Sequence, residues 1–115
     1  MTRTPIDHLE DILDAIEKAT TFVEGMTFET FATDDRTVYA VVRALEIVGE
    51  ATKRIPSSLR DSYPAIPWRE MAGMRDKLIH DYVAVNLVVV WRTAAEDLPL
   101  LKQELRRILA QVQAG

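Results

Sequence analysis

The residues best equipped for chemistry in this 115-residue chain stand together in Arg75-Asp76-Lys77-Leu78-Ile79-His80-Asp81-Tyr82. Imidazole titrates near neutrality and exchanges protons, while guanidinium presents a fixed fork of donors that clamps a phosphate. Such a pair suits phosphodiester cleavage without a metal. A neighbouring 2′-hydroxyl attacks phosphorus, a base takes its proton, an acid protonates the leaving oxygen, and the arginine stabilises charge gathering on the phosphoryl oxygens. The same residues also suit the ordinary end of an amphipathic helix, where a cation favours the C-terminus. Composition alone leaves both readings open.

Geometry limits what one copy of the motif can do. Five residues of ideal helix turn through about 140°, so Arg75 and His80 do not share a face unless the helix ends between them or the arginine reaches around. Acid–base cleavage also wants two proton-transfer groups, and one chain offers a single well-placed histidine. A twofold dimer would bring two motifs together and supply both. The remaining menu is short. His8 lies in the first turn of an acidic helix and reads as a solvated residue. The glycines at 25, 49, 73 and 115 never cluster into a phosphate loop. Glu46 and Glu50 share a helix face, but no His pair or Asp cluster completes a metal shell. They read as helical salt-bridge neighbours of Arg43 and Lys53. No metal and no cofactor is expected.

The elements that must position the motif are helical. Ile6, Leu9, Leu13, Ile16, Thr20 and Val23 recur at helical steps, with Ile12 and Phe22 widening the apolar face. Thr4 suits the cap, Pro5 the first turn and Gly25 the end. A second long helix is expected from Asp34 or Asp35 to Arg54, stopped by Pro56, with Val38, Val41, Val42, Leu45, Val48 and Ile55 inward. Beside that stripe runs a row of Tyr39, Arg43, Glu46, Glu50 and Lys53. Pro56 to Pro67 reads as a connector with at most one short helix around Ser58 to Ser62. A third helix starts at Pro67-Trp68, carries Met71, Met74, Leu78 and Ile79 inward, and frays near His80. Val83 to Trp91 has strand propensity, yet Asn86 is a good N-cap and Leu87, Trp91, Ala94 and Leu98 keep helical spacing, which predicts a helix. Pro99 should kink or restart the chain into a last helix with Leu101, Leu105, Ile108 and Val112 inward. The expectation is an all-α, up-and-down bundle of four to five helices forming a single domain over residues 1–115.

Composition sets the setting. The chain has no cysteine, which excludes disulfides, thiolate metal sites and a cysteine nucleophile, and fits a reducing cytosol. The longest apolar stretch, Leu87 to Trp91, is far short of a membrane span. The acidic start, with Asp7, Glu10, Asp11 and Asp14, is unlike a secretory signal, so a cytoplasmic protein is expected. The net charge of −4 sits unevenly: residues 1–35 balance at −7, residues 36–82 at +2 and residues 83–115 at +1. Electrostatic steering of a nucleic acid should therefore be weak, as for a small or pre-positioned substrate.

Several pieces of the chain, taken in order, resemble the HepT-like ribonucleases of the HEPN superfamily, the toxin halves of bacterial and archaeal toxin–antitoxin pairs. They are Arg43-Ala44-Leu45-Glu46-Ile47-Val48-Gly49-Glu50-Ala51, Tyr63-Pro64-Ala65-Ile66-Pro67-Trp68, Gly73-Met74-Arg75-Asp76, His80-Asp81-Tyr82, Val90-Trp91 and Glu96-Asp97-Leu98-Pro99. The similarity spans roughly residues 5–110, and the family's signature of arginine, four residues, histidine, any residue, tyrosine falls on Arg75, His80 and Tyr82. The resemblance implies a HEPN-like helical bundle that dimerises, with Arg75 and His80 as the catalytic pair acting on an RNA substrate. Asp76 matches the polar residue that helps orient that site. Tyr82 is similar to the tyrosine that the cognate antitoxin, a minimal nucleotidyltransferase, modifies with AMP. An AMP group there would block RNA and neutralise the arginine. Two other classes remain beside this one: a non-catalytic helical module that docks or is modified by a nucleotidyltransferase, and a purely structural helical dimer.

Overall fold

The computed structural model describes residues 2–78 and 85–115. The first helix, α1 (Pro5–Phe22), starts where the sequence places it. The Thr4 hydroxyl accepts from the Asp7 backbone N–H, and the Asp7 carboxylate accepts from the Thr4 N–H at 2.8 Å. That reciprocal cap satisfies two donors the helix start would otherwise leave open. Gly25 then takes a positive φ of 78°, which turns the chain away from the helix at a position where a side chain would be strained. Leu9, Ile12 and Ile16 are buried as the periodicity predicts, whereas Phe22, expected inward, is 41% exposed.

A short helix not expected from the pattern, α2 (Phe28–Ala32), follows with a Thr27–Thr30 capping box. It buries Phe31, whose ring lies 5.4 Å from that of Trp91, while Phe28 meets the same indole edge-on at 6.4 Å. Next, α3 (Asp35–Lys53) is capped by the Asp34 carboxylate on the Thr37 N–H and closes at Arg54, ahead of Pro56. It buries Val41, Leu45 and Val48 against α1. The connector holds the short α4 (Ser57–Ser62), and the Trp68 indole donates to the Tyr63 carbonyl at 3.0 Å, folding the connector onto the next helix.

The expected third helix comes in two pieces, α5 (Trp68–Ala72) and α6 (Met74–Leu78), parted at Gly73. Both pack against α3. The chain resumes with α7 (Leu87–Arg92), where the Asn86 side chain accepts from the Val89 N–H. The valine-rich run is thus helical from Leu87. Pro99 restarts the helix without a break: Thr93–Asp97 widens into a π-helical turn, in which the Leu98 N–H donates to the Thr93 carbonyl, before α8 (Leu98–Ala114). Proline has no N–H for the carbonyl four residues back and its ring crowds that carbonyl, so the wider turn absorbs the mismatch. Leu98, Leu105 and Ile108 of α8 complete the core against α1. The result is an all-α bundle built around α1, α3 and α8, with α5 to α7 closing its remaining side. Among the described residues, no helix is long and apolar enough to cross a membrane.

Candidate functional site

Arg75 and Asp76 lie in the first turn of α6, two and three residues beyond the Gly73 break, and both are exposed. What positions them is the contact between α3 and the α5–α6 pair. At Gly49 the α3 backbone comes so close to the end of α5 that an added Cβ would stand 3.4 Å from both the Met71 and Ala72 carbonyl oxygens. A larger side chain would push the helices apart. Met71, Met74 and Leu78 point inward from the same stretch and fix the rotation of α6. That rotation turns Arg75 back over α3.

There it meets Glu46. The Arg75 Nε lies 3.4 Å from the Glu46 Oε2, with the arginine side chain 64% exposed and the glutamate 25% exposed. The engaged atom matters. A guanidinium held through Nε keeps both terminal nitrogens for a second, bidentate partner such as a phosphate. Glu46 also restrains a long side chain that would otherwise sample many rotamers. The arrangement is an exposed guanidinium restrained by a carboxylate on the neighbouring helix, with the chemistry to receive a phosphate.

Sequence spacing assigns Glu46 a partner on its own helix, and the structure gives it one on α6 instead. Glu50 follows the expected pattern, with Lys53 Nζ 3.7 Å from its Oε1. The signal for Glu46 was present in the row of Tyr39, Arg43, Glu46, Glu50 and Lys53, but the pairing depends on how α6 packs, which helical spacing does not carry. Among the described residues, no three His, Asp or Glu side chains gather in metal-binding geometry.

His80 and Tyr82 lie outside the described residues. The described chain on either side is tied together, because the Asn86 N–H donates to the Leu78 carbonyl at 3.1 Å. The end of α6 and the start of α7 are therefore neighbours. His8, expected to be solvated, is half-buried and lines a cleft of about 250 Å³ between the start of α1 and α3, together with Arg43 and Arg54. Another cleft, about 720 Å³, follows the α4–α5 connector along Arg60, Trp68 and Arg69 and does not include Arg75.

Comparison with known proteins matches residues 12–108 to a family described as Ribonuclease HepT-like. A Thermococcus cleftensis protein named "Probable ribonuclease HepT" is 50% identical over 108 residues, covering 94% of this chain and 98% of the relative. Two others carry the name "Putative RNase". One, from Methanocaldococcus jannaschii, is 44% identical over 105 residues, covering 91% of this chain and 87% of the relative. The other, from Caldanaerobacter subterraneus, is 43% identical over 107 residues, covering 93% and 96%. No solved structure gives a significant match.

Proposed function

The chain belongs to the ribonuclease HepT-like family, and from that premise we propose that it is a metal-independent RNA endonuclease acting as the toxin of a toxin–antitoxin pair. The observation that carries the proposal is the Arg75–Glu46 contact: an exposed guanidinium that meets its carboxylate through Nε, a geometry that lets the outer nitrogens take a phosphate. In the reaction proposed, the RNA 2′-hydroxyl attacks the adjacent phosphorus as a histidine takes its proton. Charge builds on the non-bridging oxygens, where the terminal nitrogens of Arg75 stabilise it. The bond to the 5′-oxygen breaks, a second histidine donates a proton to that oxygen, and a 2′,3′-cyclic phosphate remains. His80 supplies the imidazole, and its twin in a homodimer supplies the other. Asp76, next to Arg75, orients the pair.

Tyr82 is the off-switch in this reading. A nucleotidyltransferase antitoxin joins AMP to the phenol oxygen, with pyrophosphate leaving from ATP, and the added phosphate occupies the arginine. The chain acts as one helical domain in the cytoplasm.

Purified protein confirmed by mass to be free of AMP should cleave RNA in EDTA and leave 2′,3′-cyclic ends. Arg75→Ala and His80→Ala should each abolish cleavage. Coexpression with a nucleotidyltransferase should add the mass of AMP to the wild type and not to Tyr82→Phe. Sedimentation should give a dimer. If AMP-free wild type leaves RNA intact, a module that binds or accepts modification from the nucleotidyltransferase replaces the enzyme.

A further inference from the structure

The outward side of α3 is one continuous strip. Tyr39, Arg43, Glu46, Glu50 and Arg54 fall within a sector of about 80° when each residue advances 100° around the axis. Tyr39 is 78% exposed, the largest exposure among the large hydrophobic side chains of the described residues. Arg75 reaches the strip from the α6 side at Glu46. On the other side, Arg3, His8 and Asp11 wall the cleft whose far side is Arg43, Glu50 and Arg54.

The charges here do not cancel. Asp11 is taken by Arg3, Glu50 by Lys53 and Glu46 by Arg75. Each carboxylate of the strip and cleft thus already has a cation. Arg43 and Arg54 have, among the described residues, no carboxylate within ion-pair distance. Arg54 has an ordinary reason to be where it is, since it closes α3 and favours the negative end of the helix dipole. That reason does not extend to Arg43 in mid-helix, nor to an exposed tyrosine one turn before it.

Uncompensated guanidinium groups beside an exposed aromatic ring are what single-stranded nucleic acid needs: cations for successive phosphates and a π-face for a base. The position of the pair adds direction. Arg43 and Arg54 stand about 16 Å apart along the helix axis at 1.5 Å per residue, and the Glu46–Arg75 contact falls between them. We infer that this strip holds single-stranded RNA on both sides of the phosphate at Arg75, with Arg43 and Arg54 on flanking phosphates and Tyr39 stacked on a base; the assignment of Arg75 to the scissile phosphate rests on the ribonuclease reading. The strip also explains how a chain of net charge −4 meets RNA, because the acidic excess of residues 1–35 is compensated where it borders the cleft.

The test measures binding separately from cleavage. A fluorescein-labelled, fully 2′-O-methylated 12-nucleotide RNA has no free 2′-hydroxyl and cannot be cut, so anisotropy reads affinity for the full-length chain across a salt series. The double variant Arg43→Ala/Arg54→Ala should bind about tenfold more weakly, and its log–log salt slope should flatten by about 1.4, from about 0.7 for each lost contact. Tyr39→Ala should lose about fivefold or more, and Tyr39→Phe should restore the affinity because stacking needs the ring and not the hydroxyl. The charge-matched Lys18→Ala/Arg107→Ala, on other faces, should stay within twofold of wild type. An unchanged slope in the strip variant, an equal loss in the control, or wild type that does not bind the analogue overturns the inference. Wild type that binds the analogue in this pattern but cuts no RNA overturns the ribonuclease reading and leaves the strip standing.

Discussion

Replacing Glu46 by Gln tests whether the contact on α3 does more than hold two helices together. The change keeps the shape of the side chain and removes its charge. Arg75 is 64% exposed and Glu46 25% exposed, so their attraction is largely screened and contributes about 0.2–1 kcal/mol to stability. For a chain of this length that amounts to a fall in Tm of roughly 1–5 °C. The expected effect on cleavage is larger. If Glu46 aims the outer nitrogens of Arg75 at the phosphate, losing that aim should lower kcat/KM by roughly ten- to a hundredfold, or about 1.4–2.7 kcal/mol at the transition state. A group with only a structural part would show the small Tm shift and little else.

The assay pairs calorimetric melting with steady-state cleavage of a fluorophore–quencher oligoribonucleotide in EDTA. A double-mutant cycle then isolates the contact. Lysine offers a point charge without the fork or the Nε, so in an Arg75→Lys background Glu46→Gln should cost less than twofold. Two results would refute the reasoning. One is kcat/KM for Glu46→Gln within twofold of wild type while Arg75→Ala is inactive. The other is a gain in rate, which would mean that Glu46 competes with the phosphate for Arg75 rather than aiming it.

Three further outcomes follow from packing and charge. Gly25→Ala should destabilise the chain by about 1–2 kcal/mol in urea titration, because φ is 78° and no atom lies within 4 Å of the added Cβ, leaving backbone strain as the cost. Gly25→Asn, which tolerates that region better, should cost less. Phe31→Ala should cost about 3–5 kcal/mol and change the near-ultraviolet signal of Trp91, whose ring lies 5.4 Å away; a loss under 1 kcal/mol would place α2 outside the cooperative fold. The Glu17 carboxyl is held below its ordinary value of 4.5, first by the hydrogen bond from Lys102 and then by the charges of Lys102 and Arg106. A lowered folded pKa contributes stability above the ordinary value, lost as pH falls through the folded one. The Tm gap between wild type and Glu17→Gln should therefore be present at neutral pH and close on acidification below 4.5.

What the sequence discloses here is what depends on near neighbours. Thr4 with Asp7, Asp34 with Thr37 and Asn86 with Val89 are caps made within three residues, so helix starts can be read directly. Pro56 and Pro99 act on their own backbone, and their positions mark where α3 stops and where the π-helical turn must relieve the last helix. The short α2 escapes because five residues carry too little periodicity, and its box uses Thr30 where a Glu or Gln would be the usual signal. Gly73 marks the break between α5 and α6 only once the helices are packed, since isolated glycines are tolerated inside helices.

The candidate site divides along the same line. Arginine and histidine are legible as chemistry because their side chains carry it wherever they sit. The partner of Arg75 is not legible, because Glu46 reaches it through packing that begins elsewhere. Gly49 lets α3 lie against the Met71 and Ala72 carbonyls, and the inward Met74 and Leu78 set the turn of α6. Arg75 then falls over Glu46 rather than into solvent. Glu46 thus links the fold to the proposed chemistry: its neighbours along α3 form the strip, and its carboxylate fixes where along that strip the guanidinium stands. Displacing α3 from α5 by a larger residue at position 49 should therefore impair Arg75 without touching it, an effect that no reading of the Arg75–Tyr82 motif by itself contains.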